Sequence, residues 1–172
     1  DCSSGAVSCC AAPSKGSGAG YLSDFVVHVI SCWGYKDVVL HTDGEEAMVA
    51  LVARVKEKRE GRTIPESGGR YSHQSQGVVE QAVKAVEGHT RTLLHRLGEE
   101  VGIEFGVQDA VVCWAVRYSG FLLANFRALE HGQTPLKVLR GRDYSGEVLE
   151  FGEFCWGQGA SPLVDQSEFE VR

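Results

Sequence analysis

The chain changes its hydrophobic rhythm several times. Leu22, Phe25, Val26, Val29, Ile30 and Trp33 recur at steps of three and four, the spacing of one helix face. Ser23 is placed to cap that helix and Gly34 to end it. DVVLHT, Asp37 to Thr42, is short and β-branched and predicts a strand, which Gly44 breaks. Helical spacing returns at Glu45, with Ala47, Met48, Leu51, Val52 and Val55 in one stripe. Arg62 to Pro65 predicts a second short strand. SGGRYSHQSQ, Ser67 to Gln76, is polar and glycine-containing and reads as a mobile loop. Gly77 to Val101 predicts a long helix. Val79, Ala82, Val83, Val86, Leu93, Leu94, Leu97 and Val101 share one side of it; Glu80, Lys84, Glu87, Arg91 and His95 share another. Val107 to Phe126 is apolar almost all round, as in a helix buried in a core or an interface. Thr134 and Pro135 open a short helical turn. VLEFGEFCW, Val148 to Trp156, predicts a strand pair turning at Gly152.

Helix, strand, helix, strand, long helix, long helix is an α/β order with a helix-rich C-terminal half. Two strands are too few to cover four helices. The pattern divides the chain into a flexible Ser/Gly/Cys-rich leader over 1–20, a domain over 21–157 and a polar tail over 158–172. No internal repeat is present.

Composition narrows the classes. The chain has 172 residues and 43% hydrophobic content, enough for one domain with a core. A net charge of −6 argues against whole-surface attraction to nucleic acid and leaves room for a local basic patch. Arg54, Lys56, Lys58, Arg59, Arg62 and Arg70 put six cations within 17 residues. Such a run is a solvated helix face or a contact for phosphates. No run of about 18 apolar residues exists, so no membrane span is expected. DCSSGAVSCCAAPSKGSGAG lacks the basic start and apolar core of a signal peptide. The six cysteines are scattered, which favours a reducing, intracellular setting. Cys2, Cys9 and Cys10 lack the paired spacing of a zinc site.

The candidate chemistry starts at Asp43. An Asp at the carboxyl end of a strand stands where α/β folds place their sites. Hard cations such as Mg²⁺ or Mn²⁺ take carboxylate oxygens, and a two-metal site needs several. Glu80, near the start of the long helix, is the candidate partner. Lys84, one turn on, and Arg91, two turns beyond that, are placed to meet a phosphate. The plainer alternatives stay open: an Asp before Gly is often a turn residue or helix cap, and a Glu near a helix start offsets the dipole.

LHTDGE, then QSQGVVEQAV, then the helix carrying Trp114, Tyr118 and Asn125, then GQTPLKVLRGR, resemble the catalytic core of retroviral and retrotransposon integrases. The resemblance spans roughly 21–156. In that family the second acidic residue ends a strand and the third stands on a helix; Asp43 and Glu80 match them, with 36 residues between. Gln76 stands where the family usually has Asn, and Val83 where Asn or Lys is common. The resemblance implies an RNase H-like fold and DNA integration by a two-metal polynucleotidyl transfer in the nucleus. Asp43, Glu80 and a further Asp would hold two Mg²⁺ or Mn²⁺ ions, with DNA as partner. That first Asp and the first three strands of the sheet have no counterpart among these residues, nor does a His-His-Cys-Cys zinc module. The expectation is a truncated, catalytically incomplete core. The alternative is a non-catalytic, integrase-derived subunit that packs on another protein. Either way the uncovered helices predict a homo-oligomer or a protein partner, with Val107–Phe126 as contact.

Overall fold

The computed structural model describes residues 1–12, 20–67 and 73–154. They belong to two compact units: Ala12–Val79, and Asp1–Ala11 with Glu80–Arg172. The fold is mixed α/β and helix-rich, with a two-stranded parallel sheet.

In the Ala12–Val79 unit the order is α1 (Tyr21–Cys32), β1 (Val38–Thr42), α2 (Glu46–Lys58), β2 (Thr63–Ser67). Helix α1 stops at Gly34, whose φ of 80° suits a residue without Cβ. The Gly34 N–H donates to the Ser31 carbonyl and the Tyr35 N–H to Ile30, which satisfies the last turn. Strands β1 and β2 pair in parallel from Val38–Thr63 to Thr42–Ser67, and α2 is the crossover that parallel pairing requires. Ile30, Leu51 and Val55 form the core, with Leu22, Val26, Val38, Leu40 and Met48 packed around it. One sheet face thus rests on the helices. On the other, the register partners Val39 and Ile64 are exposed. Arg59 ties the links together. Its Nη2 donates to the carbonyls of Tyr35 (3.0 Å) and Lys36 (2.9 Å), and its Nη1 to the Thr63 hydroxyl (2.6 Å).

The other unit is built on α3 (His73–Val101) from Glu80 onward, α4 (Ala110–Phe126) and α5 (Pro135–Arg140). Helices α3 and α4 share a buried hydroxyl pair, Thr90 and Ser119, 3.0 Å apart. Residues 1–11 belong to this unit, with Cys9 against α4 and Gly5 against Arg127 just beyond it. The Cys9 Sγ sits 3.1 Å from the Val116 carbonyl, and a Cβ on Gly120 would come within 2.5 Å of that sulfur. Arg127 donates to the Gly5 carbonyl, and Ser4 and Ala6 are buried. Tyr118, Phe121, Phe126, Tyr144 and Phe151 form an aromatic cluster with ring centroids 5.3–5.9 Å apart. Thr134 caps α5 by accepting from the Lys137 N–H, with Pro135 at its first turn.

Several sequence expectations change. Ser23 is not the cap of α1: it lies inside the helix, and its hydroxyl returns to the Gly20 carbonyl. Helix α3 begins at His73, so the end of the expected loop is helical; its middle, 68–72, lies outside the described residues. Helix α4 starts at Ala110, because Asp109 and Gly106 close a turn with two hydrogen bonds before it. Residues 148–154 form no strand pair, but the expected turn at Gly152 is present: Gly152 has φ 90° and the Glu153 N–H donates to the Glu150 carbonyl. The first eleven residues fold into the unit of α4, Cys9 touching α4 and Gly5 touching Arg127, instead of trailing as a leader. Residues 13–19, Arg70, Cys155, Trp156 and the 158–172 tail lie outside the described residues.

Candidate functional site

Asp43 leaves the carboxyl end of β1, and Gly44 follows with φ 80°. The Asp43 Oδ1 accepts the Glu45 N–H at 3.1 Å, two residues on, so the turn role is realised. Asp43 is exposed. Beside it, His41 and Glu66, register partners on β1 and β2, approach to 3.7 Å.

Glu80 belongs to the other unit. It is exposed, and because α3 starts at His73 it lies two turns inside the helix, not at its start. A dipole-offsetting role fades within the first turn, so that plainer reading loses its basis. Lys84 is exposed one turn on. Neither Glu80 nor Lys84 has an ion pair among the described residues. Arg91 is committed: its Nε donates to the Glu87 carbonyl and its Nη2 lies 4.0 Å from the Glu87 carboxylate.

Among the described residues no three His, Cys, Asp or Glu side chains gather to hold an ion. Two ions about 4 Å apart need more neutralising carboxylate than Asp43 and Glu80 supply, so these residues do not fit a two-metal site alone. The free thiols offer no substitute. Burial pushes the Cys9 thiol up to about 11, against which a hydrogen bond from the Gly120 backbone works, and burial also raises Cys10. Both thiols therefore stay protonated and poor ligands near neutral pH.

Two surface depressions carry cations. One, of about 450 Å³ on α3, is lined by Arg91, Thr92, His95, Arg96 and Glu99. Here each base has an acid: Arg91 with Glu87, His95 with Glu99, and Arg96 with Glu100 and Glu150. The other, of about 440 Å³ at the junction of α2 and β2, is lined by Lys56, Arg59, Arg62, Thr63 and Ile64 among others. The sequence marks it only as a charge run; which of its cations are neutralised is a tertiary fact.

A comparison with models of known protein families found no match, and one with curated proteins found no relative. Among the described residues no helix is long and apolar enough to cross a membrane.

Proposed function

We propose that the chain is part of an integrase-type polynucleotidyl transferase core, with DNA as substrate class, and that it is catalytically incomplete by itself. The observation that carries the reading is the β1–α2–β2 unit: a parallel strand pair with Asp43 at the carboxyl end of its first strand, followed by a long helix bearing Glu80. That is the order of parts the resemblance asks for. The second edge of β1 has no strand beside it among the described residues, which leaves a place for further strands. Asp43 and Glu80 are two of the carboxylates for Mg²⁺ or Mn²⁺, and Lys84 meets a phosphate. With two carboxylates no chemical step is assigned to this chain alone. Integration would place it in the nucleus.

Manganese binding followed by electron paramagnetic resonance tests the carboxylates. Asp43→Asn and Glu80→Gln should each weaken Mn²⁺ binding. Unchanged binding in both single variants would remove them as ligands. Joining of DNA ends by the wild-type chain, lost in Asp43→Asn, would show that the site is complete after all.

A second reading is a non-catalytic segment that packs on a protein or a second copy. It rests on apolar side chains left bare: Val39 and Ile64 on the sheet, and Trp114, 61% exposed, on α4. Parallel sheets are usually covered on both faces. Sedimentation at micromolar concentration tests it, and a compact monomer with no dye-accessible apolar surface would end it.

A further inference from the structure

We infer that the depression where α2 meets β2 is where the phosphodiester backbone of duplex DNA docks, through Lys56, Arg62 and the rim of Arg59. The inference rests on the reading of the chain as a DNA-acting core and assigns the contact to a surface outside the Asp43 and Glu80 positions.

The argument turns on which cations are already neutralised. With a net charge of −6, the chain needs a local excess of positive charge to hold a polyanion. The Arg91–Arg96 stretch of α3 does not provide one, because Arg91, His95 and Arg96 each have a carboxylate at 4.0 Å or less. In the α2–β2 run Lys58 is spent on Asp24. Lys56 and Arg62 are exposed, and neither has a carboxylate at ion-pair distance among the described residues. Asp37 accepts the Arg62 backbone N–H at 3.0 Å and not its guanidinium. Arg59 is held by two carbonyls and a hydroxyl, all neutral, so its full charge remains. Three uncompensated cations thus border one depression of about 440 Å³.

The shape favours a backbone over a single anion. Arg59 spends both terminal nitrogens on protein acceptors, so no fork of donors converges on one enclosed phosphate. Lys56 and Arg62 are left at the rim, free to meet successive phosphates. Ile64, 40% exposed, gives the floor an apolar surface for sugar contact. Contacts of this kind position DNA without reading its sequence.

Fluorescence anisotropy with a labelled duplex of random sequence, across a salt series, tests the assignment. The wild-type chain should bind with an affinity that falls steeply with salt. Lys56→Gln/Arg62→Gln should lower affinity roughly tenfold or more at about 0.1 M salt and flatten the log–log salt slope by about 2. Lys58→Gln/Arg96→Gln should change affinity less than about twofold, since those cations are already paired. Both pairs are exposed, and matching thermal melts establish that the folds are intact. Wild-type binding that Lys56→Gln/Arg62→Gln leaves unchanged overturns this inference and spares the DNA-acting reading. No salt-dependent binding by the wild-type chain overturns both. Inorganic phosphate competing at low millimolar concentration, beyond a chloride control of equal ionic strength, would mark a site for a discrete anion and overturn the backbone assignment.

Discussion

The α1–β1–α2–β2 unit closes on branched aliphatic side chains, whereas in the other unit the buried middle of α4 is built of small residues and a hydroxyl. In the first, Val55 has no exposed surface and Ile30 and Leu51 surround it. In the second, the fully buried positions of α4 are Ala115 and Ser119, beside a buried Gly120, and the partner across the interface is Thr90. Leu97 and Leu123 are its large buried aliphatics. Burial of large side chains is non-directional and scales with area. Contacts between small residues depend instead on how closely two backbones approach. The two units should therefore fail differently, the first when volume is removed and the second when volume is added.

The largest effect is expected from Leu51→Ala. It removes buried methyl groups at the centre of the first core and should cost about 2–4 kcal/mol. Tryptophan reports on each unit separately: Trp33 lies at the end of α1 and Trp114 on α4. With Trp114 and Trp156 replaced by Phe, urea melts followed by Trp33 should shift by that amount. With Trp33 and Trp156 replaced, the Trp114 signal should shift less. Equal shifts would mean that the two units unfold as one, and the comparison would collapse.

Adding volume is the converse. Gly120→Val drives a side chain into the Cys9 sulfur and should cost about 1–3 kcal/mol. Gly88→Ala, in α3 with nothing within 4 Å of the new Cβ, should instead stabilise by about 0.5–1 kcal/mol. Cys9 supplies an independent reading. Raised from 9.0 to about 11, its thiol should carry about a hundredfold less thiolate at pH 8 than an ordinary cysteine. Disulfide-reagent labelling should be correspondingly slow and rise about tenfold per pH unit through pH 10, because the thiolate is the reactive form and its fraction climbs until the pKa is reached. Gly120→Val should release the segment and restore ordinary labelling. Slow labelling in that variant would mean that Cys9 is not seated against α4.

The same contrast explains what the sequence discloses. The α1 and α2 stripes, both strands and the Thr134–Pro135 cap are legible because large apolar residues recur at the period of the element they build. The seating of residues 1–11 is not. DCSSGAVSCC has no period, and its packing depends on a glycine in α4 more than a hundred residues away. Ser23 misleads because a serine early in a helix can bond back into the turn as well as cap it. The early start of α3 is hidden under polar residues with no apolar stripe. Of the candidate site, Asp43 at a strand end was legible from β-branched residues meeting a glycine. Whether a basic residue is neutralised was not, because Lys58 finds Asp24 on a different helix.

A smaller effect belongs to the hydroxyl pair. Ser119 Oγ donates to the Ala115 carbonyl at 2.7 Å, which leaves the Thr90 hydroxyl to donate to Ser119. Thr90→Val keeps the shape and strands one acceptor, at a cost of about 1 kcal/mol. Thr90→Val/Ser119→Ala should cost less than the sum of the single changes, because the second removes the group the first left unpaired. Additive costs in chemical melts followed by Trp114 would show that the hydroxyls do not form a pair.

The smallest effect should come from the surface, where the units do not differ. Lys58 pairs with Asp24 in one, Arg96 with Glu100 in the other, and all four side chains are at least 38% exposed. Water and mobile ions screen such pairs, and holding two long side chains together offsets most of the Coulomb gain. Lys58→Gln and Arg96→Gln should each cost no more than about 0.5–1 kcal/mol at low salt, and still less near 1 M, where the screening length falls to about 3 Å. Paired urea melts at low and high sodium chloride measure this. A cost above about 2 kcal/mol that persists in high salt would make the pair a structural element, and the division of the molecule by its two kinds of core would then be missing an electrostatic term.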